Sequence, residues 1–392
     1  MLAATVRVTR DLDVAEECVQ DAYAQALTAW PVSGVPAKPG AWLTTVARRR
    51  ALDLLRRDAV LRRALPLLIE DDAAPAPEPS DAIPDDRLRL ICTCCHPALA
   101  PEAHVALTLR LICDLSTADV ARAFLVSETT MAARITRAKK KITAARIPYR
   151  VPSAAELPQR VDSILAVVHL VFTTGHTAPA GDDLVRRDLI ERSLDLARML
   201  RALLPCNADV AGLLGLILLT DARRATRTAE DGRFLRLGEQ DRGAWDRAAI
   251  GEGVALVREA LRCRPPGRYA LQAAIAAVHA EAPSWDATDW GEIVALYDVL
   301  AQIWPSPVVT LNRAVAIGFA RGPAAGLAEL DRLCAEPQLA GYSYLPAARA
   351  ELLQQLGRGA DARLAFEEAI LLTGNAVERQ FLLGRLESLP SR

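Results

Sequence analysis

The side chains best suited to chemistry in this sequence lie between Glu128 and Ile142. Thr129, Ala133, Thr136, Arg137 and Lys140 recur there at helical spacing and make one face that turns basic along its length. Small polar groups at a helix start can reach base edges, and cations further along can hold phosphates. The chemistry such a face offers is recognition of duplex DNA. An ordinary helical hairpin with a solvated charged face carries the same pattern. A second basic stretch, AWLTTVARRRALDLLRR, sets Thr45, Arg49 and Arg56 on one face with Trp42 near its edge. An aromatic among cations suits stacking on single-stranded bases, and a Trp at a helix start suits a core anchor equally well. Cys92, Cys94, Cys95 and His96 put four soft ligands within five residues, which raises a zinc site. No second Cys-x-x-Cys or His-x-x-x-His follows at zinc-finger spacing, and adjacent cysteines are poorly placed to share one tetrahedral ion. The cluster is therefore expected to pack as small apolar residues before the turn at Pro97, with no metal and no cofactor. The sequence has no Gly-rich phosphate loop, no His-Glu-x-x-His and no Gly-x-Ser-x-Gly, and its five histidines are scattered. An enzyme is not expected.

Two helices and a tight turn must position the first face. Ser116 is a good N-cap, with Asp119 three residues on, and the first helix should run to about Leu125. Val126-Ser127 forms the turn, and Ser127 caps a second helix with Glu128 in its first turn. Met131, Ile135, Ala138 and Ile142 then fall together as the buried stripe of a helix-turn-helix unit. Upstream, Val14–Trp30 has Ala15, Val19, Ala22, Ala26 and Trp30 on one side and Asp13, Glu16, Glu17, Gln20 and Asp21 on the other. A loop holding Pro31, Gly34, Pro36, Pro39 and Gly40 should follow. The next helix buries Leu43, Ala47 and Leu54, so an acidic helix sits beside a basic one.

Residues 66–86 hold five prolines, seven acids and no Lys or Arg, and residues 66–90 read as an extended acidic linker. After Pro148, Pro152 and Pro158, helical periodicity resumes and runs to the end. Ala350, Leu353, Gly357, Ala362, Phe366 and Ala369 have the small-and-aromatic spacing of a tetratricopeptide repeat, with a weaker copy in SPVVTLNRAVAIGFARGPAAGLAELDRL. Stacked pairs of this kind build a solenoid with a concave face. The composition agrees with an all-α chain: 51% of residues are hydrophobic but only 5% aromatic. The net charge of −1 rules out arguing nucleic-acid binding from global charge, so it must rest on local patches. The start has no signal-peptide core, and the apolar runs at 164–172 and 210–219 are too short to span a bilayer. A cytoplasmic location and no membrane partner are expected, and the eight cysteines suggest no disulfide scaffold.

DLDVAEECVQDAYAQALTAWP, its Pro/Gly loop and PGAWLTTVARRRALDLLRR resemble region 2 of the extracytoplasmic-function subfamily of sigma-70 factors. Residues 101–143 resemble region 4 of the same subfamily. DDRLRLICTCCHPALAPEAHVALTLRLI, GEQDRGAWD, YALQAAIAAVHAEAP and DWGEIVALYDVL are similar to a subgroup with a long helical extension. The resemblance implies five segments. They are region 2 at 1–65, N-terminally short because MLAATVRVTR resembles the end of a first helix; the acidic linker at 66–90; region 4 at 91–147; a second linker at 148–160; and a helical TPR-like extension at 161–392. It implies core RNA polymerase (β′ clamp and β flap) and promoter DNA as partners, with a protein partner for the extension. Asp13, Glu16, Glu17, Gln20 and Asp21 match the polymerase-docking part of region 2. Trp42, Thr45, Arg48, Arg49, Arg50, Arg56 and Arg57 match the part that melts and holds the −10 element, with the loop at 31–41 near a flipped base. Thr129, Thr130, Ala133, Arg134, Arg137 and Lys140 match the face that reads the −35 element. The extension is expected to regulate the two DNA-binding regions in cis. The competing reading is a helix-turn-helix regulator with a solenoid partner-binding domain that works without polymerase.

Overall fold

The computed structural model describes residues 1–64, 86–123, 126–150, 152–153 and 155–389. The stretch 66–85 of the predicted acidic linker and the predicted helix end at Leu125 lie outside the described residues. The chain divides into two compact units, 1–167 and 168–392.

The first unit opens with α1 (Leu2–Thr9), α2 (Leu12–Ser33) and α3 (Pro39–Ala64), which pack on one another. Asp11 starts α2 by accepting from the amides of Asp13 and Val14 at 2.8 and 3.0 Å. Ala22 and Ala26 of α2 meet Leu43 and Ala47 of α3, with Trp30 and Trp42 packed against them. The helix α2 runs on through Pro31, where the sequence predicts a loop. The missing proline N–H removes one bond, while Ser33 Oγ donates to Ala29 at 2.8 Å and the Gly34 amide donates to Trp30 at 2.9 Å. Gly34, at φ 80°, ends the helix. At the other end of the loop, Pro39 and Gly40 already belong to α3, since the first turn needs no N–H from a proline. The loop is thus shorter than the predicted 31–41.

Then come α4 (Asp86–Cys94), α5 (Pro101–Leu111), α6 (Thr117–Ala123) and α7 (Glu128–Ala144). Met131, Ile135, Ala138 and Ile142 are all buried, as their spacing predicts. The Tyr149 hydroxyl donates to the carbonyls of Ala3 (2.7 Å) and Asp86 (2.9 Å), which ties α1 to the start of α4. The boundary between units falls inside α8 (Leu157–His176).

The second unit is a succession of helices, each packed on the next: α9 (Arg187–Leu203), α10 (Ala208–Asp221), α11 (Arg247–Ala260), α12 (Arg268–Glu281), α13 (Trp290–Ile303), α14 (Pro307–Arg321), α15 (Pro323–Leu333), α16 (Tyr344–Gln355), α17 (Gly359–Leu372) and α18 (Ala376–Glu387). The apolar run Val210–Leu219 is buried throughout, because α10 is covered by α9, α11 and α12. Its Gly212 meets the α12 backbone so closely that a Cβ would lie 2.7 Å from the Ala270 amide nitrogen. Gly326 of α15 likewise faces Gly318 of α14, where a Cβ would lie 2.6 Å from the Gly318 Cα. Ala350, Ala362, Phe366 and Ala369 are fully buried between α16 and α17.

Among the described residues, besides short 3-10 turns and one isolated bridge, the helices are interrupted by one pair of parallel two-residue strands, β1 (Ala180–Gly181) and β2 (Gly374–Asn375). The buried Asn375 amide donates to the carbonyls of Ala178 (3.0 Å) and Asp183 (2.9 Å). Its oxygen caps α18 through the amides of Val377 and Glu378.

Candidate nucleic-acid interface

Local hydrogen bonding sets both helix starts of the α6–α7 pair. Ser116 Oγ accepts from the Asp119 amide at 3.0 Å and donates to the Asp119 carboxylate at 2.6 Å. Ser127 Oγ accepts from the Thr130 amide at 3.2 Å, with the Thr129 and Thr130 hydroxyls 3.0 and 2.8 Å away. Opposite the buried stripe of α7, Thr129, Thr130, Ala133, Arg137 and Lys140 are exposed and Arg134 is half-buried. The small side chains at its N-terminal end leave room for a groove edge to approach, and the cations follow one and two turns later. This geometry fits a helix laid in a major groove with its start toward the bases.

The basic helix α3 divides its candidates. Thr45, Arg48, Arg49, Arg56 and Arg57 are exposed, with Arg56 in a loose surface pair with Asp53 at 3.7 Å. Arg50 donates to Asp21 of α2 at 2.8 Å, so these two candidates hold the helix pair together. Trp42 is half-buried, its ring tilted 60° against Trp30 at 5.6 Å. It anchors α3 on α2 and shows only part of its surface to solvent.

On α2, Glu17 and Gln20 are exposed, whereas Asp13 and Glu16 are occupied. Lys139 of α7 donates to Asp13 at 2.7 Å and to Glu16, and Arg110 of α5 pairs with Glu16 at 3.2 Å. Burial pulls the Lys139 ammonium down, but its two carboxylate partners together outweigh this and raise its pKa. The helix-turn-helix part is thereby clasped to the acidic helix. No local signal marks Lys139, one cation among several in a basic run. Also unassigned were Tyr23 and Leu27, one turn apart on α2 and 47% and 78% exposed. Two large apolar side chains outside the buried stripe, beside exposed polar ones, suit a protein partner. They are legible in the sequence as apolar positions that break the α2 periodicity.

Cys92, Cys94, Cys95 and Cys113 are buried. Burial pushes the Cys92 and Cys95 thiols up to about 12, which disfavours the thiolate that a metal or an oxidant would need. His96 Nδ1 accepts from the Ala98 amide at 3.1 Å, and the His104 ring meets the His96 carbonyl at 2.8 Å. Among the described residues no cluster of three His, Cys, Asp or Glu side chains could hold a metal. Arg160, at the start of α8, donates to the Cys92 and Cys95 carbonyls at 3.1 and 3.4 Å and so closes the end of α4.

Comparison with known proteins places families on these same elements. Sigma-70 region 2 matches residues 2–60, covering α1, α2 and most of α3. Sigma-70 region 4 matches residues 90–142, which include the α6–α7 pair. A family of unknown function, DUF6596, matches residues 160–261. An uncharacterized protein of Rhizobium meliloti (strain 1021) is 42% identical over 395 residues, covering 99% of this chain and 93% of that protein. No solved structure matches. Among the described residues no helix is long and apolar enough to cross a membrane. Sigma factors are not enzymes, and they bind core RNA polymerase and promoter DNA. The chain thus carries sigma-70 region 2 and region 4 in the extracytoplasmic-function type of architecture, followed by a helical DUF6596 extension.

Proposed function

We propose that this sigma factor reads the −35 element with Thr129, Thr130, Ala133, Arg134, Arg137 and Lys140 of α7 and holds the melted −10 element with exposed cations of α3. The observation that carries the reading is the capped α7 helix, whose exposed face is polar at its start and basic beyond it. On α3, Arg48, Arg49, Arg56 and Arg57 offset the unstacking of the opened duplex by holding displaced-strand phosphates, with Thr45 beside them. Trp42 and Arg50 position that helix. On α2, Glu17 and Gln20 with Tyr23 and Leu27 form the polymerase face, joined by Asp13 and Glu16 when the clasp opens. Its place of action is the cytoplasm, where polymerase and promoter meet. We read α14–α17 as two TPR-like pairs of a solenoid and the extension as a regulator in cis that takes a protein partner.

Run-off transcription with core polymerase, on the region upstream of the chain's own operon, tests this. The wild-type chain should give a specific start site. The double substitution Arg49→Ala and Arg56→Ala should impair open-complex formation, seen by permanganate reactivity, and leave −35 duplex binding intact. Normal initiation by that variant would overturn the α3 assignment. Duplex binding without initiation from any template would favour a regulator independent of polymerase. For cis regulation, a truncation should be cut after α8, because cutting before Arg160 would unseal the end of α4. Unchanged initiation and polymerase binding would then make the extension dispensable.

A further inference from the structure

In the second unit, α10, α12, α13 and α14 line an open-mouthed pocket of about 400 Å³. One wall is aromatic. Trp290 stacks on Phe319 at 4.4 Å, and Trp285 meets both rings edge-on at 4.9 and 5.2 Å. Trp245 closes another side, held by a hydrogen bond from its indole N–H to Thr226 at 3.0 Å. The polar lining includes Arg223, Gln272, His279 and Asn312, and no Asp or Glu is part of it.

Arg223 is the anomaly. Its guanidinium makes no side-chain hydrogen bond or ion pair among the described residues, and its charged neighbours are Arg227 and Arg242. Among the described residues, Arg227 engages both of its terminal nitrogens and Arg242 only Nη1, its Nη2 being buried without a partner. Arg227 donates to the His176 carbonyl and to Thr177 at 3.0 Å, and Arg242 donates to the His279 and Ala282 carbonyls while lying 4.7 Å over the Trp245 ring. Burial, reinforced by the two neighbouring arginines, lowers Arg223 to about 10, so it stays charged at neutral pH. His279 is neutral there, lowered to about 4 by burial first and then by Arg223 and Arg242, and its Nδ1 is buried with no partner. The Arg223 side chain is half-buried, so its guanidinium, with no counter-charge beside it, keeps access to solvent and can take an anionic partner there. Concave, mainly apolar pockets with a few convergent polar groups are where small molecules bind.

We propose that this pocket binds a small molecule carrying one anionic oxygen group on a flat apolar body. The anion, a carboxylate or a phosphate, pairs with Arg223. The flat body lies against Trp285 and Trp290, and neutral His279 offers a hydrogen bond. The inference concerns the second unit alone and stands whether or not that unit regulates transcription.

The test uses the intact chain and three probes: phenylacetate, phenyl phosphate and the uncharged phenylacetamide. Binding is followed by tryptophan fluorescence and by calorimetry. At least one anion should bind roughly tenfold or more tightly than phenylacetamide, the factor a charge-assisted hydrogen bond supplies. The stronger anion identifies the head group. Arg223→Gln should abolish the preference and Arg223→Lys should retain part of it. Circular dichroism and thermal unfolding confirm that both variants fold, and with an unpaired charge removed Arg223→Gln should be at least as stable as the wild type. Three results would each overturn the proposal: phenylacetamide binding as well as both anions, Arg223→Gln keeping the preference, or no anion binding up to the low-millimolar range.

Discussion

Replacing Lys139 by Met keeps the apolar stem of the side chain and removes only the charge that clasps α7 to α2. The Lys139 side chain is 12% exposed, and its partners Glu16 and Asp13 are 17% and 73% exposed. The bond to Glu16 is therefore worth about 1.5–3 kcal/mol, as for hydrogen bonds to charged groups. The exposed Asp13 contact adds only about a few tenths. Arg110 continues to hold Glu16, so the loss falls near the low end, at about 2 kcal/mol, or roughly a 30-fold shift toward the unclasped state. Hydrogen exchange on the intact chain reads this as faster exchange of α2 and α7 amides. A double-mutant cycle with Glu16→Gln should give a coupling of about 1–2 kcal/mol. The ammonium is held above its ordinary 10.5, so its contribution is complete below that value and fades as pH rises through the higher folded value. The variant and the wild type should thus converge at strongly alkaline pH. Unchanged protection with a coupling below about 0.3 kcal/mol would refute the clasp. If Asp13 and Glu16 serve polymerase docking, the same substitution should also tighten binding to core polymerase.

Asn375→Ala should lower the stability of the second unit by about 2–3 kcal/mol, because it strips the buried Ala178 carbonyl, the more exposed Asp183 carbonyl and one helix start of their partners; thermal unfolding measures it. Gly326→Ala should lower its Tm through a loss of about 1–3 kcal/mol, since the new methyl overlaps the Gly318 backbone. Burial holds His169 and His279 at about 4, with Arg268 adding to the effect at His169 and Arg223 and Arg242 at His279. The unfolded chain takes up these protons first, so the unit should lose up to about 3 kcal/mol per histidine as pH falls from 6.5 toward 4. Unfolding at pH 7 and pH 5 measures this, and Gln at both positions should reduce the dependence, the remainder coming from His176, which burial also holds well below its ordinary value.

Where a local period or a cap fixes the structure, the sequence is legible. Met131, Ile135, Ala138 and Ile142 share one face because 3.6 residues make a turn, and Ser116 and Ser127 start their helices by bonds to amides three residues on. Ala362 and Phe366 are readable as one helix of a close pair for the same reason. Lys139 is different: its partners lie more than a hundred residues upstream, and nothing in KKK says which lysine is half-buried. Trp42 is ambiguous because a side chain at the edge of a helix face can turn to the core or to solvent, and Arg50, matched to the −10 face, turns instead to Asp21 on the neighbouring helix. The helix α2 ends later than Pro31 predicts because the bonds that bracket the proline come from Ser33 and Gly34 beyond it. Arg223 carries no local signal; its isolation emerges only when four helices pack beside it.

The parallel pair of β1 and β2 affects how the second unit comes apart. A row of helices packed mainly on near neighbours can fray from either end, one hairpin at a time. Here Asn375 grips Ala178 across 197 positions of sequence, so the last helix is fastened to the first loop. Progressive loss from the tail is blocked until that grip fails. Its failure frees the start of the unit as well, which favours a single concerted transition over stepwise melting. Folding bears the corresponding burden: closing so long a loop is slow, and the unit reaches its final state only when its two ends find each other.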